Sequence, residues 1–206
     1  MIGGQASCDE DSGLGTKEEL QRRLSLATPA DTVRGFAINN MLGALRQELG
    51  DEAVKHCLQQ IAEKSIHSFF YYPVGNHLRV LYTTAWMLSE KYGGFDAAVR
   101  RIGRGLAPEF LSSVVGRAFL ALTRQGPKQL IDHVPMAFRA VTTFGEGTVR
   151  WTSPKSGVLS TKRDFLLYVS HEAGLMSLFR TLKIQGAWVR GRQVGPLDNE
   201  VEFAWE

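Results

Sequence analysis

The periodicity of apolar residues in this chain changes once, near residue 145, and that change limits the folds open to it. Before it, apolar side chains recur every three or four residues, as in Leu78, Leu81, Tyr82, Ala85, Leu88 and Tyr92, which places them on one helix face. After it they alternate, as in Val149 and Trp151 or Val201, Phe203 and Trp205, the period of a half-buried strand. Helices first and strands afterwards imply an α+β fold with an antiparallel sheet, because alternating parallel units would interleave the two periods. The expectation is an N-terminal helical layer followed by a small, about four-stranded antiparallel sheet with one inserted helix.

Local signals set the elements. Thr16-Lys-Glu-Glu19 has the form of a capping box and opens a short helix, which Pro29 and Asp31 end. Helices are expected from Arg34 to Leu49, after Asp51 through Val54, Leu58 and Ile61, and from Asn76 to Tyr92. Gly50 and Gly93-Gly94 punctuate them. Further helices should cover Ala97 to Gly105, Glu109 to Arg124 and a short stretch after Gly126-Pro127. Strands are expected at Gly147–Ser153, Val158–Thr161, Phe165–Ser170, Ala187–Val189 and Val201–Trp205, with a helix around Leu175, Leu178, Phe179 and Leu182.

The 206 residues suit one domain, expected over 16–206 behind an acidic tail at 1–15. At 44% apolar and 22% charged the chain is neither disordered nor fibrous. Two cysteines, Cys8 and Cys57, exclude a disulfide scaffold and a four-cysteine zinc site. No apolar run suits a membrane span and no h-region follows a basic start, so a cytoplasmic protein is expected. Charge is uneven: residues 1–99 carry 9 bases and 12 acids, residues 100–192 carry 15 and 5, and the last fourteen carry four acids alone. The basic residues are spread rather than clustered, which fits solvated faces better than nucleic-acid binding.

The stretch Thr28-Pro-Ala-Asp-Thr-Val-Arg-Gly-Phe36, with Tyr92-Gly-Gly and Ile102-Gly-Arg104, resembles a paralogous family of myxobacterial proteins of similar length and unknown function. More distantly, the layout resembles the fold shared by haem-based nitric-oxide/oxygen sensors, the vinyl-4-reductase small-molecule-binding domain and related transport-complex subunits. In the haem sensors a Tyr-x-Ser-x-Arg motif holds the haem propionates. Tyr168-Val-Ser170-His-Glu172 is similar at its first two positions, but Glu172 places an anion where propionates need a cation. The sensors' iron-binding histidine precedes the sheet; here that stretch holds Met136, Ala137, Phe138 and Arg139, and His133 lies just upstream. The resemblance therefore implies a non-enzymatic ligand-binding or sensory module without haem, His133 being a metal ligand only if haem were bound.

Within that implied pocket, Tyr168 and Ser170 are the expected polar groups, and Trp86, Phe119, Met136 and Phe138 the expected apolar lining. Arg139 is the expected cation for an acidic ligand. The ligand would be a small apolar or acidic molecule, and the alternative is a dimerisation or scaffold module without ligand. No catalytic pair is recognisable. His56, His67, His77, His133 and His171 show no metal-ligand spacing, and Ser170-His171-Glu172, read as a strand, cannot form a relay. Phe69-Phe-Tyr-Tyr-Pro73 is expected to border the core between two helices.

Overall fold

The computed structural model of the protein describes residues 13–122 and 126–206. The expected acidic tail lies outside the described residues as far as residue 12, and so does Arg124, the expected end of the Glu109 helix. The first helix, α1 (Lys17–Leu26), starts where the capping box predicts: Thr16 Oγ1 accepts the Glu19 amide at 3.1 Å. A three-residue strand, β1 (Thr32–Arg34), then leads into α2 (Gly35–Gln60). At Gly50 the backbone leaves helical geometry (φ 82°, ψ −174°), so α2 is two helical segments joined across a kink, the division its sequence predicts.

The run Phe69–Pro73 supplies β2 (Tyr71–Pro73), which pairs antiparallel with β1, Val33 opposite Tyr72. This ribbon was not anticipated, because three-residue strands carry too little alternation to register in sequence. Tyr72 is buried while Phe69 and Phe70 are exposed, so the aromatic run is only partly core. Next come α3 (Val74–Tyr92), α4 (Phe95–Ile102), one tight turn at Gly103–Gly105, α5 (Leu106–Ser112) and α6 (Val114–Leu122). The single helix expected from Glu109 is thus interrupted: the Ser113 hydroxyl accepts the Gly116 amide at 3.0 Å and restarts the helix. Two short helices, α7 (Pro127–Asp132) and α8 (Val134–Val141), complete the helical part.

The sheet consists of β3 (Glu146–Ser153), β4 (Ser156–Lys162), β5 (Trp188–Gly195) and β6 (Asp198–Ala204), in the spatial order β3-β4-β6-β5, all antiparallel. Helix α9 (Tyr168–Thr181) is inserted between β4 and β5. The architecture is the expected α+β one, with one correction. Phe165–Ser170 is not a strand: Leu167 is the N-cap of α9, so the helix begins at Tyr168, and Gly174 lies inside it. Phe165, Leu167 and Val169 are all fully buried and so alternate, but they do so across an anchored turn and a first helical turn. Asp164 makes that turn by accepting the Leu166 amide at 2.9 Å, an Asx turn that needs no sheet partner.

One apolar cluster joins α1 to α4, the ribbon and the segment before α9; the second lies between α5–α9 and the inner face of the sheet. Helix α9 touches both because Gly103 sits directly against Ala173, where any Cβ would collide. A buried polar strut adds to this. Fully buried Arg23 pairs with Glu19, which also accepts the Tyr82 hydroxyl, and reaches Gln193 Oε1 at 3.1 Å. The strut links α1, α3 and β5. Elsewhere the basic segment answers the acidic one through Arg101–Glu48 and Arg163–Asp31, while Arg100–Glu172 is an ion pair within the basic segment. No helix among the described residues is long and apolar enough to cross a membrane.

Removing one partner of the strut should cost more than removing both, since a lone buried charge is the expensive state. Glu19→Ala is expected to lower stability by about 3–5 kcal/mol in urea denaturation. The double variant Glu19→Leu/Arg23→Met should recover at least half of that loss. A double variant no more stable than the single one would show that packing, not charge, carries the strut.

Candidate functional site

A cavity of about 210 Å³ lies between the helical layer, α9 and the sheet. Phe36 and Asn40 of α2, His77 of α3, Phe110 of α5 and Phe119 of α6 face it, with Val134, Ala137, Phe138 and Val141 along α8. The spacing 134, 137, 138, 141 is one helix stripe, and here it faces the cavity. Ser170, His171, Gly174, Leu175 and Leu178 bring the facing stripe of α9, and Leu159 of β4 lies in the wall. The described lining contains no Lys, Arg, Asp or Glu.

Its polar groups are few. The imidazole of His77 is buried in the wall with no hydrogen-bond partner at Nδ1, and the Asn40 Oδ1 is likewise unpartnered. Burial pushes the His77 pKa down from 6.5 to about 4, against the opposing pull of the Asp164 charge, so the ring is neutral at pH 7. His171 Nε2 bonds Asp164 Oδ2 at 2.5 Å, and its ring lies 5.8 Å from that of Phe138. Fully buried Asp164 therefore holds one imidazole of the wall by a hydrogen bond and acts on the other by charge.

Of the residues expected at the pocket, Ser170, Phe119 and Phe138 line the cavity together. The others are placed elsewhere. The Tyr168 hydroxyl donates to Asp96 at 3.1 Å, and burial with that carboxylate pushes its pKa up to about 12, so it is a fixed donor between α9 and α4. Trp86 packs edge-on against Tyr82 and donates to the Gly15 carbonyl at 2.6 Å. Met136 and Arg139 lie on the exposed side of α8, opposite its cavity stripe. His133 is bonded through Nδ1 to the Gln129 carbonyl at 2.7 Å and is not in the lining.

Glu172, the acid at the motif's third position, binds the Arg100 guanidinium at 2.7 Å and the Gly191 amide at 2.5 Å. It is a link between α4, α9 and β5. Because Ser170, His171 and Glu172 are helical, their side chains fan around α9, and each has a different neighbourhood. Among the described residues no three His, Cys, Asp or Glu side chains gather as a metal site requires. Sequence reasoning missed His77, Asn40 and His171. The available signal was His77 directly beside the apolar stripe of α3, a polar residue where core is expected.

The family described as "Protein of unknown function (DUF2378)" matches residues 26–206. The chain belongs to the DUF2378 family. That match contains every described lining residue of the cavity. Comparison with curated protein sequences finds no significant match. Among solved structures, a variant of the H-NOX protein of K. algicida in its unliganded Fe(II) form superposes with a TM-score of 0.67 at 12% identity. That match covers 84% of this chain and 96% of the other. A variant of T. tengcongensis H-NOX gives 0.62 at 14% identity, over 84% and 97%. A second K. algicida H-NOX structure, also unliganded and Fe(II), gives 0.62 at 11%, over 84% and 96%. This DUF2378 chain therefore has an H-NOX-like α+β fold.

His77 carries a pH dependence of known sign. Its folded pKa lies below the unfolded 6.5, so its burial adds no proton-linked cost above pH 6.5, and stability is lost as pH falls towards about 4. Relative to His77→Gln, the wild-type chain should lose on the order of 3 kcal/mol more unfolding free energy between pH 7 and pH 4. Parallel curves for the two proteins in denaturant titrations would mean that this imidazole is hydrated in the native state.

Proposed function

We propose that this DUF2378 protein is a non-enzymatic small-molecule-binding sensory module whose ligand seat is the cavity between α8 and α9. One observation carries the reading. The chain leaves a cavity of about 210 Å³ between its two layers and lines it with aromatic and aliphatic side chains rather than filling it. A void of that size is costly in a well-packed protein, and a dry apolar cavity of about 150 Å³ already admits benzene. The seat is below the range of about 300–1,000 Å³ usual for drug-sized ligands, so it favours a compact molecule.

A solved structure similar to this chain was used to probe the function of haem distortion in the H-NOX family. The residues here do not fit a haem. The α8 stripe facing the cavity is Val134, Ala137, Phe138 and Val141, none of which ligates iron, and the described wall offers no cation for propionates. Glu172 is already engaged by Arg100 and Gly191. The two imidazoles in the wall belong to α3 and α9 rather than to that stripe, and that of His171 is already bonded to Asp164.

Two features support sensing. Helix α9 forms one wall of the cavity, and Glu172 and Tyr168 on the same helix are bonded to α4 and to β5. A ligand that moves α9 therefore moves the sheet edge and α4 with it. Signal transfer to a partner protein would follow from that displacement.

Gly174 provides the test. It lies in the cavity wall within α9, and a Cβ there would meet nothing within 4 Å. Gly174→Leu should fill the seat and, by removing a helical glycine worth about 1 kcal/mol, raise Tm by roughly 2–4 °C. Toluene is expected to raise the Tm of the wild-type protein and to leave that of Gly174→Leu unchanged. Equal toluene shifts in the two proteins would overturn the proposed seat.

A further inference from the structure

The wall of this cavity is not uniformly apolar: Asn40, His77, Ser170 and His171 lie in it. His77 and Asn40 are each more than nine-tenths buried, each lies in the wall, and each has a side-chain atom without a hydrogen-bond partner. Asn40 directs its amide towards Glu109, which leaves its oxygen as the unsatisfied end. His77 and His171 both answer to Asp164, and Ser170 precedes His171 on the first turn of α9. The Ser170 hydroxyl makes no hydrogen bond among the described residues. The wall thus carries two imidazoles, a hydroxyl and an amide among otherwise apolar groups. A side-chain hydroxyl left without a protein partner in an apolar wall is open to a bound molecule.

Building on the proposed seat, we infer that its ligand is a compact, uncharged, mainly apolar molecule carrying a hydroxyl, a phenol or a small alcohol, held by His77 and Ser170 of the wall. The charge state follows from the wall. An acid would find no Lys or Arg in the described lining and would sit beside the buried Asp164 carboxylate. An amine would find Asp164 fully buried and already bonded to the Leu166 amide and to His171. A hydroxyl suits every group present. It exchanges hydrogen bonds with the neutral His77 ring and with the Ser170 hydroxyl, both in the wall, each of which can donate or accept. It therefore matches either tautomer of the neutral His77 ring. One aromatic ring fits the volume, between the cavity that takes benzene and the range of drug-sized ligands.

Four single-ring probes test this on the whole chain: toluene, p-cresol, benzoate and benzylamine, with dissociation constants from ligand-observed NMR. The expected result is that p-cresol binds at least tenfold tighter than toluene, while benzoate and benzylamine bind more weakly than toluene. In His77→Phe the p-cresol advantage should fall to within twofold, with toluene binding retained. Ser170→Ala, at a half-buried position that tolerates change, should reduce the advantage about threefold and serves where His77→Phe does not fold. Toluene and p-cresol binding equally, or benzoate binding tightest, overturns the hydroxyl inference but leaves the seat intact. Failure of all four to bind the wild-type chain, with no difference from Gly174→Leu, overturns the seat and the inference with it.

Discussion

A single buried carboxylate fixes how the two halves of this protein meet. Asp164 is fully buried, its amide bonded to the Leu197 carbonyl at 2.7 Å and its side chain to the Leu166 amide and to His171. Desolvating a carboxylate costs several kcal/mol unless donors replace its water, and each donor here belongs to a segment that has to be placed. The backbone bond anchors the end of β4 to the β5–β6 turn. The bond to Leu166 turns the chain into α9, and the bond to His171 sets the rotation of that helix. Once that rotation is fixed, the stripe 170, 171, 174, 175, 178 faces the helical layer and becomes a cavity wall. Site and fold thus share one anchor.

Helix α9 also explains how a motif changes meaning on a retained scaffold. An acid at position 172 looks like a lost clamp when compared with a Tyr-x-Ser-x-Arg pattern. In the folded chain it gains a guanidinium from α4 and an amide from β5, so its role moves from ligand to frame. Tyr168 moves the same way, towards Asp96. Only Ser170 keeps a place in the cavity wall. Because α9 already begins at Tyr168, these three residues are separated: helical side chains diverge by about 100° per residue where strand side chains alternate.

The fold was legible because its cues are local and repeated. The switch of period near residue 145, the glycines at 50 and 93 and the Thr16 cap all correspond to features of the backbone. Phe165–Ser170 misled for a physical reason: a run of β-prone apolar residues alternates in burial whether its neighbours are strands or packed helices, and periodicity cannot separate the two over six residues. The site was harder. Phe119 and Phe138 were found as aromatics on helix stripes, whereas Trp86 and Met136 looked identical in sequence and face elsewhere. His77 and Asn40 had no signal beyond being polar on buried helices. What makes them notable is the lack of a partner, a property of three-dimensional neighbours that no spacing along the chain encodes.

Strand order has a consequence for how the chain assembles. The β3–β4 and β5–β6 hairpins are local, but the ladder that makes them one sheet joins β4 to β6, with Leu159 opposite Val201 across the whole of α9 and β5. That ladder closes the longest loop in the carboxy-terminal part, and the entropy it costs is repaid only when α9 is seated. Each hairpin alone has an apolar face with nothing to cover it. Joining the central strands is thus a late, cooperative event, and the same helix that walls the cavity gates the completion of the sheet.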